Sequence, residues 1–126
     1  MYTYPDVFVV CGNAEYSDED KDTITNPVVI FEVLSKSTEA YDRGAKFALY
    51  RGIRSLREYV LVSQAKPAVE RFLRREDGSW SFHESAGMDA MLTIESLGCE
   101  IALADIYDQV EFRPEEQAAP AQARLR

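Results

Sequence analysis

Histidine occurs once in the 126 residues, as His83, and cysteine twice, as Cys11 and Cys99. The two cysteines are far apart and have no metal-ligand spacing. Each is expected to pack as a small hydrophobe, and a disulfide is not expected in a reducing compartment. His83 falls in a predicted strand of a polar hairpin and reads as a surface residue. Long apolar runs are also missing: nothing approaches the roughly 20 residues that cross a bilayer. The start, Met1-Tyr-Thr-Tyr-Pro5, lacks a basic region followed by an apolar stretch, so the expected location is cytoplasmic and away from membranes. Positive charge is in deficit, with 14 Lys and Arg against 22 Asp and Glu and a net charge of −8. That argues against a general nucleic-acid-coating surface. It leaves room for an enzyme that acts on nucleic acid through a local basic patch and a divalent metal. Five acids crowd into the eight positions Glu15 to Asp22, which reads as a solvated loop.

The apolar content of 46% suits one globular domain with a modest core. Asp6 to Cys11 reads as a strand and Gly12 to Asn26 as a loop. Val28 to Leu34 is a second strand. Thr38 or Ser37 then supplies an N-cap for a helix over Glu39 to Arg51, which Gly52 ends. Gly44 in mid-helix costs about 1 kcal/mol relative to Ala, which hints at close packing there. Arg57 to Ser63, Ala68 to Arg75 and Trp80 to Glu84 read as strands, and Asp77-Gly78 joins the last two as a hairpin. Met91 to Ile94 and Cys99 to Leu103 follow as short strands, with a helical turn at Asp105 to Asp108. Residues 113–126 read as a disordered tail. The order predicts an α+β domain, a mixed sheet with one main helix against it.

The second strand holds an anomaly. Pro27-Val-Val-Ile-Phe-Glu-Val-Leu-Ser35 is nearly continuous apolar sequence with Glu32 inside it. A carboxylate there must be paired, protonated or bound to a metal. The structural alternative is an ion pair with Lys46 or Arg43. Asp6 opens another apolar run, and alone it reads as a turn residue after Pro5. Two acids on two core strands suggest a metal site, for which Mg²⁺ is the matching hard cation. Strand alternation puts Lys36 on the Glu32 face if the strand continues that far. Asp42, Lys46 and Tyr50 are spaced by four and line one helical stripe.

These segments carry a resemblance. Pro5-Asp6-Val7, the run Val29 to Thr38 with Glu32-Val-Leu-Ser-Lys-Ser-Thr38, the helix Asp42-Arg-Gly-Ala-Lys46-Phe-Ala-Leu-Tyr50, Gly52-Ile53 and Glu58-Tyr59 resemble the Uma2 family of the PD-(D/E)XK nuclease superfamily. The resemblance covers Pro5 to about Tyr107. It implies a restriction-endonuclease-like core over 1–112 and hydrolysis of nucleic-acid phosphodiesters, with DNA the expected substrate. It implies that Asp6 and Glu32 hold Mg²⁺ or Mn²⁺, with the carbonyl of Val33 as a further ligand. The superfamily lysine normally lies two residues after the acid, where this chain has Leu34. The resemblance therefore assigns the lysine's role to Lys46, with Lys36 second and Asp42 and Tyr50 in support. Val60 stands where a Trp is expected after Glu58-Tyr59, and Ser63 where an Asp often ends that strand. The helix and hairpin that family members carry before the Pro-Asp pair are absent from this sequence. The expected consequence is a homo-oligomer or association with a missing N-terminal complement. The alternative function is an inactive relative that serves as an interaction module.

Overall fold

The computed structural model describes residues 5–17 and 25–112. The expected tail lies outside them, as does most of the acidic stretch before Asp22. A five-stranded mixed sheet has the order β1 to β5. β1 (Val7–Val9) runs antiparallel to β2 (Val29–Val33), which runs parallel to β3 (Glu58–Val62). β4 (Ala68–Arg74) and β5 (Trp80–Ala86) continue antiparallel. β2 and β3 are buried along most of their length, as expected of adjacent parallel strands covered on both faces. The β4–β5 turn follows its Asp-Gly signal. Gly78 takes φ +88, and Asp77 accepts the Ser79 amide at 2.9 Å.

The β2–β3 crossover carries the helix, and here the structure corrects the sequence reading. Instead of one helix from Glu39 to Arg51 there are two short pieces, α1 (Glu39–Arg43) and α2 (Ala45–Tyr50). Gly44 separates them at φ −105, ψ −89, so the glycine marks a kink. The hydrogen-bond ladder still crosses it, from the Gly44 amide to Ala40 O at 3.0 Å and from Ala48 to Gly44 O at 3.0 Å. The Thr38 side chain does not cap the helix either. Both cysteines are exposed, because Cys11 lies beyond β1 and Cys99 faces outward on a small hairpin.

Side-chain alternation divides the core in two. Ile30, Leu34, Tyr59 and Leu61 face α2, with Phe47, Tyr50 and Leu56 packed on them. Phe47 stacks on Tyr59 at 4.8 Å between centroids and meets the Trp80 edge at 5.2 Å. The opposite face, with Val29, Val60 and Val69, is covered by a second sheet. That sheet pairs β6 (Met91–Ile94) with β7 (Cys99–Ala102), followed by α3 (Leu103–Ile106). Leu92, Ile94, Leu103 and Tyr107 supply its core side chains. Among the described residues β1 ends the main sheet, and Val7, Val33 and Val110 are exposed beside it.

Candidate active site

Glu32 is the centre of the site. It is 1% exposed on the α2-facing side of β2. Lys46 Nζ lies 2.8 Å from Glu32 Oε2, and the Tyr50 hydroxyl donates to the same oxygen at 2.9 Å. The helical spacing of four therefore delivers Lys46 and Tyr50 to one carboxylate oxygen. Asp42 is also buried, with Oδ1 3.5 Å from Lys46 Nζ. Thr38 extends the same stripe by four, and its hydroxyl donates to Asp42 Oδ2 at 3.2 Å. The Tyr59 hydroxyl donates to the Asp42 carbonyl at 2.8 Å, fixing the end of α1 against β3.

Asp6 reaches the site from β1. Val7 opposes Phe31, so one further step of the antiparallel register sets Asp6 opposite Glu32. The contacts agree. The Asp6 amide donates to Glu32 Oε1 at 3.2 Å, and the Val33 amide donates to Asp6 Oδ2 at 2.7 Å. Asp6 is exposed while Glu32 is buried, so the site opens to solvent on the Asp6 side.

The structure thus brings Asp6, Glu32, Asp42, Lys46 and Tyr50 together. Val33 lies beside them at the exposed end of β2, its amide bonded to Asp6. Lys36 is elsewhere. β2 pairing ends at Val33, and the chain turns before Lys36, which is exposed. Strand alternation therefore does not extend to it. Arg43 turns away to Glu39 and Glu70. The part of Thr38 was missed, although its spacing of four from Asp42 was visible in the sequence. The Ser35 hydroxyl, 2.8 Å from that of Thr38, extends the chain of hydroxyls to the end of β2.

Burial pushes the Glu32 carboxyl above its ordinary pKa, and hydrogen bonds from Lys46, Tyr50 and the Asp6 amide hold that rise in check. Burial disfavours the Lys46 ammonium, but Glu32 and Asp42 outweigh it and raise its pKa. Lys46 is accordingly a fixed cation and hydrogen-bond donor, unsuited to act as a base at neutral pH.

Among the described residues no group of three or more His, Cys, Asp or Glu side chains could hold a metal ion. An all-protein cage is therefore not what this geometry offers. Mg²⁺ does not demand one, since it commonly takes one or two carboxylates and keeps waters or substrate phosphates as its other ligands. Asp6 and Glu32, linked through the Asp6 and Val33 amides, supply two carboxylates of the kind that smaller requirement asks for.

The Uma2 family model, described as "Putative restriction endonuclease", matches residues 1–104. Two proteins of Synechocystis sp. are similar in sequence. "Uncharacterized protein slr1290" is 38% identical over 111 residues, 88% of this chain and 57% of that protein. "Uncharacterized protein sll1609" is 38% identical over 89 residues, 71% of this chain and 50% of that protein. The chain spans about half the length of these curated relatives. A solved structure, that of "a putative nuclease belonging to DUF820 from Anabaena variabilis ATCC 29413", shares the fold. Its TM-score is 0.65 at 14% identity, covering 86% of this chain and 62% of that one. Among the described residues no helix is long and apolar enough to cross a membrane. A family match over most of the chain, on a nuclease-like fold with acid, acid and lysine converged, places this protein in the Uma2 family.

Proposed function

We propose that the chain is the core of a Mg²⁺-dependent endonuclease that hydrolyses nucleic-acid phosphodiesters, with DNA as substrate. One observation carries the reading. Three segments distant in sequence bring Asp6, Glu32 and Lys46 to one solvent-open point, with Lys46 2.8 Å from Glu32 and Glu32 bonded to the Asp6 amide. Asp6 and Glu32 would hold Mg²⁺ or Mn²⁺, which when bound lowers the pKa of water and offsets phosphate charge. Lys46 orients the attacking water and stabilises charge on the phosphoryl oxygens. Tyr50 and Asp42 fix the Lys46–Glu32 geometry. The test is Mn²⁺ binding by calorimetry, with cleavage of duplex DNA and RNA by wild type, Glu32→Ala and Lys46→Ala. Wild type is expected to cleave, and each variant to lose roughly 100-fold or more. Equal residual cleavage by all three proteins would overturn the reading.

A second reading, association with another copy, draws on the edge of β1, which has no strand partner on its outer side among the described residues. Val7 is 54% exposed, Val33 41% and Val110 47%, forming an apolar strip beside that edge. Antiparallel β1–β1 pairing is self-complementary about a two-fold axis and would cover both strip and edge. Sedimentation is expected to show a dimer for wild type and a monomer for Val7→Lys. A monomeric wild type at tens of micromolar would exclude self-association.

A further inference from the structure

The cations of this acidic chain are sorted by position. Among the described residues Arg43, Lys46 and Arg71 are ion-paired. Of the described cations without an ion pair, Lys36 and Lys66 lie toward the far ends of β2 and β3, whereas Arg51, Arg54, Arg57, Arg74 and Arg75 gather around one end of the sheet. That end is the start of β3 and the finish of β4, opposite the β3 end nearest Glu32. The Arg74 guanidinium donates to the carbonyls of Arg51 at 2.6 Å and Arg54 at 3.2 Å, and the Arg74 amide donates to Arg57 O at 2.8 Å. Arg74 also lies 4.7 Å over the Trp80 ring, and Arg51 4.9 Å over Phe47. The group is therefore held in place by the fold. A hollow of about 590 Å³ opens beside Arg57, Arg74, Arg75 and Ser96.

Structural needs account for part of this group. Arg51 suits a helix C-terminus, and Arg74 ties the 51–54 turn to β4. They do not account for Arg54, Arg57 and Arg75, which are exposed. Three acids, Glu76, Asp77 and Glu95, line the same hollow, and two of them are engaged by other partners. Glu95 is drawn to Arg71, and Asp77 bonds Ser79 while feeling the charge of Arg75. Glu76 is exposed. Like charges kept together oppose one another: burial first, then the charge of Arg57, lowers the Arg74 pKa. In a chain of net charge −8, such clustering calls for an anionic ligand.

We propose that Arg51, Arg54, Arg57, Arg74 and Arg75 form a binding surface for the phosphodiester backbone of a nucleic acid, separate from the Asp6–Glu32–Lys46 site. Guanidinium forks match phosphate oxygens, and backbone contacts of this kind set register without reading sequence. The inference rests on the nuclease reading of that site. β3, five residues long, separates the two by roughly 13 Å, about four base-pair steps of a duplex. The hollow opens beside Ser96, which bonds Glu58 on the face of the sheet opposite Lys46, so the arginines would hold backbone away from the reacting phosphate.

The test is fluorescence anisotropy in EDTA, which prevents metal-dependent cleavage. The probes are a labelled 20-base-pair duplex, its single strand and phosphatidylserine vesicles. Arg57→Gln/Arg75→Gln is compared with Met88→Glu/Ala104→Glu, which changes net charge equally at exposed positions outside the arginine group. The arginine variant is expected to bind nucleic acid at least 10-fold more weakly. Its slope of log K against log salt should be shallower by about two. The control should lose less than 2-fold. The strand form that shows the loss is the one bound. Equal losses in both variants, no loss in the arginine variant, or a loss confined to vesicles overturns the proposal. Glu32→Gln separates the two readings, because it should bind as wild type while failing to cleave. A failed arginine surface with intact cleavage leaves the catalytic reading standing.

Discussion

Glu32→Gln is expected to abolish cleavage, by roughly 1000-fold, while Glu32→Ala also unfolds the protein at a markedly lower temperature. The two outcomes differ because Glu32 has two tasks. It is a proposed metal ligand, and it is the counter-charge of Lys46, which is itself only 12% exposed. Removing the carboxylate leaves an ammonium in a buried place with Asp42 alone, at 3.5 Å, to face it. Breaking one side of such a pair costs about 3–5 kcal/mol. For a domain of this size that lowers Tm by roughly 10–20 °C. Gln keeps the shape and an acceptor oxygen for Lys46 and Tyr50, so its stability loss is smaller. Replacing the whole buried group, Glu32→Leu with Lys46→Met and Asp42→Asn, should recover much of the stability lost in Glu32→Ala, since buried ionic groups are often matched by neutral groups of similar volume and no charge is left unpaired. The triple variant should remain inactive. Thermal melts beside cleavage rates decide the matter. If Glu32→Gln cleaves at the wild-type rate, Glu32 is a structural ion-pair residue and no more.

Much of this arrangement was legible in the sequence, for reasons that can be named. Glu32 stood out because an acid in an apolar run must have a partner. The spacing of four put Asp42, Lys46 and Tyr50 on one helical stripe, and the family resemblance, with Leu34 in the superfamily lysine's place, directed Lys46 to Glu32. Among the described residues the strands of the core were recognisable from their apolar runs, and polar β5 from the Asp77-Gly78 hairpin signal before it. The misses come from tertiary contacts that local pattern does not encode. The kink at Gly44 was not foreseen, because a propensity penalty of about 1 kcal/mol does not say whether the chain packs closely or bends. Lys36 seemed to share the Glu32 face, but alternation holds only while pairing lasts, and β2 ends at Val33. Thr38 was read as a capping residue, yet its hydroxyl serves Asp42 and meets that of Ser35. The arginines around β3 and β4 are dispersed over positions 51 to 75, so only the fold assembles them.

Arg71→Leu is expected to destabilise the protein more than any other single change outside the candidate active site. Its partner, Glu58, was noticed in the sequence only as part of a family motif, yet it is 0% exposed on the face of β3 opposite the site. Glu58 Oε2 accepts from Arg71 at 2.8 Å and from the Glu95 amide at 3.2 Å. Its other oxygen accepts from the Ser96 amide at 2.8 Å and from the Ser96 hydroxyl. One carboxylate thus fastens the 3₁₀ turn at Glu95–Leu97, and with it the β6–β7 sheet, to the main sheet. Arg71 supplies the balancing charge and also reaches Glu95 at 3.3 Å. Without it an ionised carboxylate stays buried with neutral donors alone, at a cost of about 3–5 kcal/mol. Glu58→Gln/Arg71→Leu should lose less, because no uncompensated charge remains. Since this cluster lies across the sheet from Lys46, cleavage per folded molecule should fall less than 3-fold in either variant. Denaturant melts and rates normalised to folded protein measure both effects. A loss under 1 kcal/mol for Arg71→Leu would show that Glu58 is held without its charge partner, and a large fall in specific activity would show that the two faces of the sheet are coupled.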